Sequence, residues 1–173
     1  MSKAAELAKW GEVSTNGQVS GRRNIVYNGA MNVAQRSASV TGLGAASGYF
    51  TCDRWYMGEN DASAGRFTMT QTADGPVGFA NCLKLDCTTA DTSIAADERL
   101  IVRQSFEGQD VQQIKKGTSD AEKVTVSFYV KGNATATYTC ELVDEDNNRY
   151  VAQEFSVTTS WTKIVKTFVA DTT

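Results

Sequence analysis

The 173-residue chain contains no histidine, a single proline and only six leucines, and it carries no excess of positive charge. Each shortage removes a class of function. Without imidazole the chain can build neither a Ser-His-Asp nor a Cys-His catalytic set, nor a histidine-ligated zinc or iron site. With 17 Lys and Arg against 20 Asp and Glu the formal charge is −3, so no broad basic field gathers phosphate backbones at the surface. Nucleic acid is not an expected partner. The four cysteines, Cys52, Cys82, Cys87 and Cys140, form no Cys-x-x-Cys pair, which leaves a zinc ribbon or a thioredoxin-type site unsupported. The opening MSKAAELAKWGEV lacks the apolar stretch of a secretory signal, and no run approaches the ~18 apolar residues of a membrane span. The thiols are accordingly read as unpaired, in a protein made in a reducing cytoplasm and without a membrane partner.

What the chain does have points to strands. Leu, Ile, Val and Phe together make up 34 residues, close to the level at which chains fail to fold, but Val, Ile and Thr number 41. Stiff, β-branched side chains suit a pleated, half-buried surface, so the expected fold class is all-β. Lys3–Trp10 is the one good helix candidate, with strong helix formers and Ser2 placed to cap it. At two turns it needs a partner to be ordered; Leu7 and Trp10, three apart, offer an anchor for a groove or a threefold bundle, and without one the segment stays unstructured. Gly11–Arg23, rich in Gly, Ser, Thr and Asn, reads as an arm.

Nine strand-like segments follow: Asn24–Tyr27, Tyr49–Met57, Arg66–Thr72, Cys82–Thr88, Arg99–Phe106, Lys123–Val130, Thr135–Val143, Arg149–Val157 and Trp161–Val169. Turn residues separate them, at a spacing that suggests a sandwich or barrel. Alternation is clearest where Val124, Val126, Phe128 and Val130 point one way and Thr125, Ser127, Tyr129 and Lys131 the other. The next segment alternates Ala136, Tyr138, Cys140 and Leu142 with hydroxyl and acidic residues, and Gly132-Asn133 joins the two as a hairpin. The tip Asp144–Asn148 turns into Arg149–Val157 as a second hairpin. Trp161–Val169 is apolar on both parities, which fits a strand covered on both sides or one whose partners lie elsewhere in an assembly.

Few residues carry chemistry. Asp144, Asp146 and Asn148 match the first half of a calcium loop, but Arg149 stands where its glycine is needed and Phe155 where its bidentate glutamate belongs, so an ordinary solvated turn is expected and no metal site. Asp53 and Glu107 lie in apolar-flanked segments; a structural ion pair of Asp53 with Arg99 or Arg103 is favoured over a glycosidase pair. No catalytic residue and no cofactor are assigned. For a sugar platform, which needs exposed aromatic faces beside polar side chains, the candidates are Arg54, Tyr56, Tyr129 and Tyr150.

Several segments are familiar as a series. Arg23–Ser37 (RNIVYNGAMNVAQRS) resembles the opening of a jelly-roll domain of tail fibres and related virion proteins of tailed bacteriophages, and Tyr49–Trp55 (YFTCDRW) is similar to that family's Asp-Arg-Trp strand. RQSFEG at Arg103, VTVSFYVKG at Val124 and FSVTTSW at Phe155 continue the likeness in order and spacing across 23–169. The resemblance implies a jelly-roll β-sandwich over 24–173, akin to carbohydrate-binding modules, preceded by a virion-attachment helix and arm over 1–23. It implies a non-enzymatic virion structural protein, made in the host cytoplasm: a tail fibre or tail-associated appendage, anchored by its N-terminal segment to other phage virion proteins and involved in host attachment. A homotrimer is the expected assembly and a host surface glycan the expected external partner. A capsid fibre, a decoration protein or a carbohydrate-binding module proper are the alternatives; a depolymerase using two carboxylates is the least favoured. Because such domains continue past the Thr-Thr-Ser-Trp strand, the jelly roll is expected to be incomplete at Thr173, as an N-terminal piece of a longer fibre.

Overall fold

The computed structural model describes Lys3, residues 24–59 and residues 64–173 of the chain. The expected helix over Lys3–Trp10 and the arm over Gly11–Arg23 fall outside the described residues, Lys3 excepted, and so do Leu7 and Trp10.

The described fold is mostly β. Nine strands run in the order β1 (Ser39–Leu43), β2 (Tyr56–Glu59), β3 (Arg66–Thr72), β4 (Cys82–Thr89), β5 (Leu100–Arg103), β6 (Val124–Val130), β7 (Ala136–Asp144), β8 (Arg149–Val157) and β9 (Thr162–Phe168). They pair antiparallel in four small sheets, β1-β3-β4, β2-β5, β6-β9 and β7-β8. Two single-turn 3₁₀ segments, Gly108–Asp110 and Gln112–Ile114, lie between β5 and β6.

The expected strands over 66–72 and 149–157 coincide with β3 and β8. Two others need correction. Residues 24–27 form no strand: 27–30 is a turn, closed by Met31 N–H donating to Asn28 O at 3.0 Å. The Tyr27 backbone is satisfied by a side chain, since Gln104 Oε1 accepts its N–H at 2.7 Å and Gln104 Nε2 donates to its carbonyl at 2.8 Å. A glutamine thus supplies the pair of bonds that a neighbouring strand would have made. Similarly, Tyr49–Met57 is not one strand. Arg54, at φ 73°, reverses the chain, so β2 begins only at Tyr56, with an isolated bridge between Gly48 and Met57.

Gly58, expected in the turn after Met57, lies within β2 opposite Ile101, where a Cβ would meet Ile101 Cγ1 at 2.7 Å. In its place as an unforeseen strand stands β1, whose SVTGL sequence hides its alternation. Its register shifts between Val40 and Leu43, where Gly42 adopts φ 72°. This region holds the tightest core. Leu43, Met57 and Met69 are buried, with Val40, Phe50, Phe67, Leu83 and Leu85 packed against them.

The topology of the last four strands also differs from expectation. β6 does not pair with β7 across Gly132-Asn133; it pairs with β9, from Val124 opposite Phe168 to Val130 opposite Thr162. The chain leaving β6 is held by Gly132 N–H donating to Thr158 O at 2.8 Å, which sends β7 into a different sheet. The β7-β8 hairpin forms as expected, from Ala136 opposite Val157 to Asp144 opposite Arg149. Its inner face meets that of β6-β9 where Phe128 and Phe155 stack edge to face, ring centres 5.1 Å apart. The β6 alternation holds along its whole length. Of the two expectations for β9, cover on both sides within the chain is not found: Ile164 and Phe168 face inward, while Val165 is 55% and Val169 75% exposed.

Candidate functional site

Three sequence segments, within 24–37, 49–55 and 103–108, converge in space. Asn28, held at φ 50°, donates through Nδ2 to the carbonyls of Val33 (2.8 Å) and Asp53 (3.1 Å), and its Oδ1 accepts the Val33 N–H. Trp55 Nε1 donates to Asn28 O at 3.1 Å, and Arg54 stacks on the Tyr27 ring, 4.8 Å from its centre. Asp53 Oδ1 accepts the Gln35 N–H at 3.1 Å and faces Arg36 at 3.7 Å. Together with Gln104 on Tyr27, these residues form a polar clasp that ties three loops at the edge of the β2-β5 pair. Asp53 is therefore ion-paired, but with Arg36 rather than Arg99 or Arg103. Glu107 has separate partners, accepting from Gln109 Nε2 at 2.8 Å.

From the clasp an arginine-tyrosine stripe runs outward. Arg36 lies over Tyr49 (5.5 Å), Tyr49 meets Tyr56 edge to face (5.1 Å), and Arg103, opposite Tyr56 in the β2-β5 register, covers that ring at 4.9 Å. Arg103 also pairs with Glu145 of the β7-β8 tip at 2.5 Å. Tyr49 is 42% exposed, and both arginine side chains reach solvent. Guanidinium groups on tyrosine faces fix the rings at little entropic cost and leave outward N–H donors for an oxygen-rich ligand. Arg36, Tyr49 and Arg103 were not among the sequence candidates. Only pairing across β2 and β5 brings Arg103 to Tyr56, and only the loop clasp brings Arg36 to Tyr49.

The four residues anticipated as a sugar platform do not form one surface. Arg54 is engaged with Tyr27 in the clasp, and Tyr56 belongs to the stripe. Tyr129 lies on the outer face of β6, tilted against Phe79 with ring centres 5.8 Å apart. Beside it Lys131 pairs with Asp74 (2.5 Å) and covers the Trp161 ring (5.2 Å). Tyr150, 74% exposed, stands opposite Val143 on the outer face of β7-β8.

At the tip of that hairpin, Lys116 Nζ lies 2.5 Å from Asp144 and Asn147 Nδ2 donates to the same carboxylate at 2.7 Å. These bonds hold the Asp144 carboxyl down at about 2. Arg149 reaches away to Asp171 at 2.7 Å. Among the described residues, no three carboxylate or thiol groups gather to share a metal ion, and no helix is long and apolar enough to cross a membrane. All four cysteines are unpaired, and burial pushes the Cys52, Cys82 and Cys140 thiols up. Comparison with protein-family models, with curated proteins and with solved structures finds no match to this chain.

Proposed function

We propose that this chain is a non-enzymatic structural protein of a tailed-phage virion, a tail fibre or tail-associated appendage that takes part in host attachment. The observation that carries the reading is the clasp. Asn28, Gln35, Arg36, Asp53, Arg54, Trp55 and Gln104, spread over 28–104, are among the residues through which the sequence resembles the fibre family, and with Tyr27 they hold one another in place. Mutual bonding among these residues gives their co-occurrence in the sequence a structural reason, which supports carrying over the family's jelly roll as a proposal. The excursion of β7-β8 between the paired β6 and β9 is the kind of crossing between sheets that such a topology uses.

The test is labelling of purified particles with antibody against the chain. Label on the tail supports the reading, label on the capsid favours a head fibre or decoration protein, and unlabelled particles overturn both.

A second reading, a module that binds host polysaccharide, is favoured by the arginine-tyrosine stripe, whose outward donors and ring edges suit saccharide hydroxyls and carboxylates. Binding of the purified chain to host cells should fall at least tenfold in Tyr49→Ala and Arg103→Ala and remain unchanged in Tyr150→Ala. Equal binding by all three variants would remove the stripe from consideration.

A further inference from the structure

We propose that the outer faces of the β6-β9 and β7-β8 sheets are the two halves of one interface between copies of this chain, the basic face of one copy seating on the acidic face of the next. The inference rests on the reading of the chain as an assembling protein, and it names the surfaces that assemble. Because Phe128 and Phe155 join the two inner faces, the outer faces point in opposite directions. Each carries exposed apolar side chains among its hydroxyl and charged residues. Val165 and Tyr129 stand 55% and 40% exposed on β6-β9; Val143 and Tyr150, opposite one another, stand 56% and 74% exposed on β7-β8.

Their charges are opposite in sign. The strands β6 and β9 contain no acidic residue, and Lys163 faces outward opposite Tyr129. Residues 136–143 and 150–157 contain no Lys or Arg, and Glu141 and Glu154 face outward, opposite Ala152 and Thr139. Twofold docking of either face on itself would set lysine against lysine or glutamate against glutamate, which costs stability. Docking one face on the other brings unlike charges together and removes all four apolar side chains from water. Such a head-to-tail contact uses two different patches per copy, and with the patches facing opposite ways it adds copies one after another as a stack.

The test is sedimentation velocity of the full chain from low micromolar to several hundred micromolar, at low and high salt. The wild-type chain should associate, more weakly at high salt. Lys163→Glu and Glu154→Lys should each weaken association at least tenfold, and the double variant K163E/E154K, which exchanges the two signs, should recover to within about threefold of wild type. Tyr150→Ser should lose association at unchanged charge. All three positions are exposed, and unaltered circular dichroism checks that each variant folds. A chain that stays monomeric throughout, or reversals that have no effect, or a double variant that fails to recover, overturns the interface. Labelled particles with a monomeric chain would sink this interface alone, whereas an associating chain absent from the particles would sink the virion reading alone.

Discussion

The region of β1 to β5 and the region of β6 to β9 are both small antiparallel sheets, yet they are held by different means. The first places Met57 and Met69 wholly out of water and satisfies much of its loop backbone with side chains, through Asn28, Asp53 and Gln104. The second relies on long, regular ladders, and most of its inward side chains, Leu142 and Phe128 among them, remain partly accessible. One region is locked by burial and polar loop contacts. The other is ordered by backbone pairing and keeps apolar side chains on its outer faces, where a neighbour can use them.

Large-to-small substitution separates the two most strongly. Met69→Ala empties a site with no solvent access and should cost about 2–5 kcal/mol. Leu142→Ala, at a half-buried site in β7, should cost less than about 2 kcal/mol. Urea unfolding of the two variants checks this, and equal losses would erase the distinction between the regions.

The clasp provides the next largest effect. Asn28→Ala removes three hydrogen bonds and places a Cβ-bearing residue without polar compensation at φ 50°, for an expected loss of about 1–3 kcal/mol. Asn28→Gly restores the backbone freedom but not the bonds, so most of the loss should persist. If the glycine variant is as stable as wild type, conformation alone explains the asparagine and the clasp is not cohesive. The matching change on the other side, Thr125→Val, breaks only an exposed hydroxyl rung to Thr167 and should stay within about 0.5 kcal/mol of wild type.

The same contrast decides what could be read from sequence. In β6 the period-two pattern of Val124, Val126, Phe128 and Val130 gives the inward face without error, because a regular ladder preserves alternation. In β1 the bulge at Gly42 breaks that period, so the strand is invisible, and at Tyr27 a strand-like sequence has its backbone bonds taken by Gln104, 77 residues away. Pairing order is a further loss: adjacency along the chain suggests β6 with β7, and nothing local encodes the Gly132 to Thr158 bond that diverts it. The stripe fails for the same reason. Tyr56 is recognisable as an aromatic beside an arginine, but its actual arginine is Arg103, brought to it by the β2-β5 register, and not the adjacent Arg54. Residue types are readable where spacing is local, and partners only where a short turn joins them, as in the β7-β8 hairpin.

The smallest effect expected concerns the tip that joins the regions, where Lys116, from the loop after β5, meets Asp144 at the end of β7. The Lys116 ammonium and the Asn147 amide lower the folded carboxyl from 3.8 to about 2, so between those values the unfolded chain binds a proton that the folded chain does not. The contribution is fully present above about pH 4 and is lost as pH falls through about 2. Lys116→Met should bring the carboxyl back toward 3.8, read by carboxyl-carbon NMR titration, and should make stability fall less between pH 4 and pH 2 relative to its neutral value. The site is open to solvent, so the difference should shrink further in salt. A wild-type carboxyl that titrates near 3.8 would mean that Lys116 does not hold the hairpin at Asp144, which would leave the Arg103 to Glu145 pair and the Gly117 N–H to Asp171 O bond to tie β6 to β9 to the preceding chain at this end.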